Sequence, residues 1–110
     1  MVNLGLQVRL EAKPGKEKEL EEFLQTQLSY ALGEPGTVVW VAIKISPGVF
    51  GIFDAFADET GRKAHLEGEI AKALQGSAGA SLLAKPPLIE QISILAAKLP
   101  GSGEVPDTLG

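Results

Sequence analysis

The chain has 110 residues, 45% of them hydrophobic and 22% charged, which suits one domain with one hydrophobic core. Its net charge of -4 argues against a nucleic-acid or anionic-membrane surface, because neither is held without a basic patch. With no cysteine there are no disulfides, thiolate nucleophiles or cysteine zinc sites; that composition fits a reducing compartment, and a cytoplasmic protein is expected.

The opening LGLQVRLEA (4–12) alternates, with Leu4, Leu6, Val8 and Leu10 on one face and Gly5, Gln7, Arg9 and Glu11 on the other. It reads as a half-buried strand and not as a signal peptide. KPG ends it. Lys16 to Leu32 follows as a helix: Leu20, Phe23, Leu24, Leu28 and Ala31 recur at helical spacing, and Glu17, Glu19 and Glu21 lie near the N-terminus where the dipole favours them. Gly33 is a natural stop, and GEPG turns the chain.

TVVWVAIKI (37–45) and VFGIFDAFA (49–57) are apolar strands joined by the SPG turn, hence a hairpin. Asp58 is a suitable N-cap for a second helix over about Glu59 to Leu74. GSAGAS is small and flexible, with Leu82 and Leu83 predicting a short packed turn before KPP. LIEQISILAAKL (88–99) is a fourth strand. No apolar run approaches the roughly 20 residues of a transmembrane helix.

The order β-α-β-β-α-β is that of an α+β, ferredoxin-like fold: a four-stranded antiparallel sheet with two helices on one face. The domain covers residues 1–99, and 100–110 form a turn-rich tail. Only the first strand has a polar face. Two helices cannot cover both sides of such a sheet, so the second apolar face requires another partner, either a second copy of the sheet or the chain's own tail. The expected assembly is a homodimer with facing sheets.

Four stretches resemble the antibiotic biosynthesis monooxygenase family of the dimeric α/β-barrel superfamily: VRLEAKPGKEKELEEFL, EPGTVVWVAI, FGIFDAFADETGRKAHL and PPLIEQISILAAKLP. The third is the most specific, with a mid-strand acid before an aromatic, then Ala-Asp-Glu, then a helical histidine. The resemblance implies cofactor-independent oxygenation of a quinol-like or polyphenolic aromatic, with molecular oxygen as co-substrate and neither flavin nor metal. It also leaves a non-catalytic dimeric binding protein for a small hydrophobic ligand, or a haem-binding or haem-degrading relative. Two features depart from the family: Asn3 is the only asparagine, at the very start of the first strand, and a second helical histidine is missing.

Asp54 shares a strand face with Ile52 and Phe56, where a carboxylate must be paired or protonated. It is either an ion-pair partner of Lys44, Arg9 or Lys85, or a site group. His65, the sole histidine, lies roughly 125° from the centre of the Leu66–Ile70–Ala73–Leu74 arc on a continuous helix, on the solvated side or its border. The resemblance instead draws it to the pocket as base or hydrogen-bond donor, with Asp54 assisting. Trp40 is core or a pocket wall. Phe50 and Phe53 are core or line the space beside the sheet. Arg9 is an interface salt bridge or an anchor for an anionic oxygen. No nucleophile elbow or phosphate loop is present, and one histidine without cysteine precludes a conventional zinc site.

Overall fold

The computed structural model describes residues 2–99. The elements run β1 (Leu4–Glu11), α1 (Glu17–Thr26), α2 (Leu28–Leu32), β2 (Thr37–Ser46), β3 (Val49–Phe56), α3 (Glu59–Leu66), α4 (Glu69–Gln75), α5 (Ser77–Leu82) and β4 (Leu88–Ser93). The four strands form one antiparallel sheet in the order β2-β3-β1-β4. This is the ferredoxin-like arrangement expected, and no helix among the described residues is long and apolar enough to cross a membrane. The predicted 100–110 tail lies outside the described residues.

The alternation of β1 aligns it with its neighbours. Leu6, Val8 and Leu10 stand opposite Asp54, Ile52 and Phe50 of β3, and all point to the helical layer. There Val8, Leu10, Ile52 and Phe50 meet Leu20 and Leu24 of α1 and Ile70 and Leu74 of α4 in a continuous buried cluster. The β2–β3 hairpin closes through Gly48, whose φ of 79° is costly for any residue with a Cβ.

Three predicted elements differ from the structure. The first helix, expected from Lys16 to Leu32, is interrupted at Gln27 into α1 and α2, and Leu28, expected on its apolar stripe, is 45% exposed. β4 ends at Ser93, not Leu99, because antiparallel pairing carries it from Leu88 opposite Arg9 to Ser93 opposite Leu4. Past that point β1 has no residues left to pair, apart from one bond from Ile94 N–H to Asn3 O at 2.8 Å. Leu95 is accordingly 92% exposed despite its hydrophobicity.

The second helix, expected to be continuous, is broken at Glu67–Gly68 into α3 and α4. α3 buries Gly61, Arg62 and His65; α4 buries Ile70, Ala71 and Leu74. The two triplets are offset by nine residues, or roughly 180° at 100° per residue. One straight helix could not bury both. The break turns them to the same side.

The other sheet face carries no helix. Val41 and Ile43 of β2, Phe53 of β3 and Leu88 of β4 lie on it with Gln7, Arg9 and Glu90. Leu88 is 54% exposed and Val41 45%.

Candidate functional site

Asp54 occupies the middle of β3 between Leu6 of β1 and Trp40 of β2. Strand alternation aims it at the helical layer with Ile52 and Phe56. It is fully buried, at 0% exposure. Its partner is none of the cations expected from sequence. Lys44 pairs with Glu21, Lys85 pairs with Glu11, and Arg9 lies on the opposite face.

Its partner is His65, which arrives from α3. Asp58 caps that helix, its side chain accepting from Gly61 N–H at 2.9 Å, as predicted. Seven residues, or about two turns, later the imidazole reaches over the sheet. Nε2 stands 2.8 Å from Asp54 Oδ2. The approach is off the line of a well-formed hydrogen bond, so both Asp54 oxygens lack an aligned donor among the described residues. The other nitrogen, Nδ1, lies 2.6 Å from Glu34 Oε1. Phe56 packs against the ring, with centroids 5.3 Å apart and planes tilted by 46°. His65 is 6% exposed. The helical-wheel placement on the solvated side is therefore corrected: the break at Gly68 gives α3 its own phase.

Glu34 went unrecognised in the sequence, where GEPG signals only a turn. Its oxygen Oε1 also accepts from Thr37 Oγ1 at 2.8 Å. Two glycines let this turn reach the site. A Cβ on Gly36 would stand 2.7 Å from Gly61 Cα, and one on Gly61 would stand 2.8 Å from Gly36 O. Only a glycine pair permits the turn and α3 to touch there. A Gly–Gly coincidence of this kind carries no local signal, because positions 36 and 61 are far apart in the chain.

Carboxylates on both edges of one imidazole define its protonation. A neutral ring would turn a lone pair toward one of them. The arrangement is satisfied by an imidazolium between two carboxylates, or by a neutral ring facing one protonated acid. Burial alone would lower the His65 pKa, but its contacts with Asp54 and Glu34 outweigh burial and hold it above the ordinary imidazole value. Burial raises the Asp54 carboxyl above the usual carboxylate range, against the opposing pull of His65.

Beside this pair is a cavity of about 20 Å³, bounded by Leu6, Ile52, Leu66, Ile70, Ala71 and Ile89 as well as Asp54 and His65. It has room for about one water. On the outer side, Glu34 and His65 help line a depression of about 500 Å³ open to solvent.

The remaining predicted residues divide. Trp40 is the cross-strand neighbour of Asp54, and its buried Nε1–H has no acceptor among the described residues. Phe50 shares the face of Asp54 but sits four residues away, about 13 Å along the strand, inside the main core. Phe53 and Arg9 lie on the open face, where they line a depression of about 380 Å³ with Gln7, Ile43, Leu88 and Glu90. The sheet separates them from Asp54 and His65.

No protein-family profile matches the chain, and no curated protein does. Solved structures do. The NE2512 protein of unknown function from Nitrosomonas europaea is 56% identical, with a TM-score of 0.87 over 91% of this chain and 96% of that one. A candidate antibiotic biosynthesis monooxygenase from Caulobacter crescentus is 25% identical, with a TM-score of 0.70 over 86% of this chain and 91% of that one. A second such protein, from Nitrosomonas europaea, is 18% identical with a TM-score of 0.73, covering 84% and 90% of the two chains.

Proposed function

We propose that this chain, which belongs to the antibiotic biosynthesis monooxygenase-like family, is a cofactor-independent monooxygenase acting on a quinol-like or polyphenolic aromatic. The observation that supports this best is Asp54: a fully buried acid on an apolar cavity, held against His65 and with no aligned donor to either oxygen. A buried acid whose pKa is raised is suited to take a phenolic proton near neutrality.

Both His65 nitrogens already face carboxylates. The natural division of labour therefore makes Asp54 the base and His65 the group that orients it and balances its charge. The same occupancy weakens the haem alternative, since neither nitrogen is free to ligate iron. In the reaction, Asp54 removes the substrate O–H proton. The resulting anion passes one electron to molecular oxygen, and the radical pair joins through a new C–O bond. The peroxide anion takes a proton back from Asp54. Loss of water from the hydroperoxide leaves the quinone, so one oxygen atom enters product and the other leaves as water. Oxygen is the only oxidant required.

A ligand site for a small molecule usually occupies roughly 300 Å³ or more. Substrate entry therefore requires α3 and α4 to part from β1 and β4 where Leu66, Ile70 and Ile89 now close the space. Trp40, beside Asp54 with a free buried N–H, would wall the widened pocket. Arg9 and Phe53 belong instead to the homodimer that we propose forms through the open apolar face.

Oxygen uptake by metal-stripped protein against a panel of hydroquinones and anthrones tests the reading. Uptake above the spontaneous rate, falling at least 100-fold in Asp54→Asn, is expected, since a positioned base contributes roughly 10²–10⁴. Thermal stabilisation by these compounds without uptake would replace the enzyme with a ligand-binding protein.

A further inference from the structure

We infer that Glu34 is a positioning residue of the same site, holding the His65 ring by its Nδ1–H so that the Nε2 edge stays against Asp54. The inference rests on the reading of Asp54 and His65 given above.

The geometry is specific. Three elements converge on one imidazole: Asp54 from β3 inside, His65 from α3, and Glu34 from the turn before β2 outside. The acids differ in setting. The Asp54 side chain is 0% exposed, whereas that of Glu34 is 22% exposed and lines the open depression. Among the described residues, neither acid has an ion-pair partner other than His65. Arg62, one turn earlier on α3, points to Glu59 at 2.7 Å and to Gly5 O at 3.4 Å instead.

Glu34 is also fixed from several directions, unlike a solvated turn acid. Thr37 Oγ1 donates to the same oxygen that meets the ring. Thr37 N–H donates to Glu34 O at 3.1 Å, and Ala57 N–H donates to Gly36 O at 3.2 Å, tying the turn to the end of β3. The Gly36–Gly61 contact sets the distance from the turn to α3. Gly68 leaves room for the other carboxylate oxygen: a Cβ there would stand 3.0 Å from Oε2. The glycine that breaks the helix thus also admits the acid.

A carboxylate on Nδ1 favours the doubly protonated ring. That ring supplies the positive charge Asp54 needs to exist as a carboxylate away from water. Without Glu34, one proton would be shared between His65 and Asp54, and the base would be spent internally. An orienting acid behind a histidine is a known solution to this problem in other active sites.

The chain has a single histidine, so the imidazole signals of labelled full-length protein belong to His65 alone. Ring-nitrogen NMR over a pH series in wild type, Glu34→Gln and Glu34→Asp tests the assignment. The expected wild type keeps both nitrogens protonated past the ordinary imidazole midpoint. Glu34→Gln keeps the size but loses the charge, and its midpoint should fall by about one pH unit or more. Glu34→Asp, with its charge one methylene further away, should lie between. The pH profile of oxygen uptake should move the same way, through kcat more than KM. Identical His65 titrations in wild type and Glu34→Gln, both folded, would overturn the inference. Absence of uptake in wild type would count against the monooxygenase alone, because the NMR result does not depend on turnover.

Discussion

Each face of the sheet departs at a few positions from the usual distribution of polarity. The covered face, which should be apolar throughout, contains a fully buried aspartate and a nearly buried histidine. The open face, which should meet water with polar groups, presents Val41, Ile43 and Leu88 about half exposed. Each departure is unfavourable by itself. A buried charge survives only when paired, and an exposed apolar patch of this kind marks a contact surface. The covered face thus points to chemistry and the open face to assembly, and the two can be broken separately.

Breaking the covered face should have the largest effect. His65→Ala leaves Asp54 buried without the one charge partner it has among the described residues, and a loss of about 3–5 kcal/mol is expected in urea unfolding. The double variant Asp54→Leu/His65→Leu, which removes both charges and fills the space, should recover most of that loss. A single variant as stable as wild type would mean that Asp54 is protonated and indifferent to its neighbour. The double variant should be inactive however stable it is, which separates what holds the fold from what performs the reaction.

Breaking the open face should change assembly and leave the fold intact. Val41→Glu and Ile43→Glu place charges among apolar side chains that have no helix over them. Like charges brought together across a two-fold interface repel, so light scattering should report a shift from dimer to the 11.5 kDa monomer. The His65 signals should stay in place, since the sheet lies between. A wild-type protein that is already monomeric would leave the apolar face without its expected cover.

Much of this was legible in the chain. The period-2 pattern of β1, the SPG hairpin and the Asp58 cap are local signals, and the structure follows each. The pairing of Asp54 with a histidine eleven residues later was also within reach, through the resemblance of FGIFDAFADETGRKAHL to a family motif. Helical periodicity pointed the other way. It failed because it assumed one helix where Gly68 makes two, and a phase error of half a turn moves His65 from core to solvent. The end of β4 depended on where β1 begins, and Glu34 on a contact between two glycines distant in sequence. Those are tertiary facts, and no window on the sequence contains them.

The smallest expected effect is a slope in stability with pH, and its sign tests the charge arrangement. His65 has a raised pKa in the fold. Its contribution is therefore complete below the unfolded value of about 6.5 and is lost as pH rises through the folded value. Asp54 is also raised, so the folded chain retains that proton longer than the unfolded chain does. Its burial penalty appears as pH rises above about 3.9 and is complete above the folded value. Both groups act in the same direction, and stability should decline from mildly acidic toward alkaline pH. The decline from His65 is about 1.4 kcal/mol for each pH unit that separates its unfolded and folded midpoints. His65→Gln cannot titrate and should lose the part of the decline that lies above about pH 6.5. Urea midpoints measured over that range in both proteins would decide the matter. An equal slope in the two would mean that the ring is neutral in the fold, with the shared proton resting on Asp54. The open face offers no comparable test, because its contribution comes from apolar groups that do not titrate.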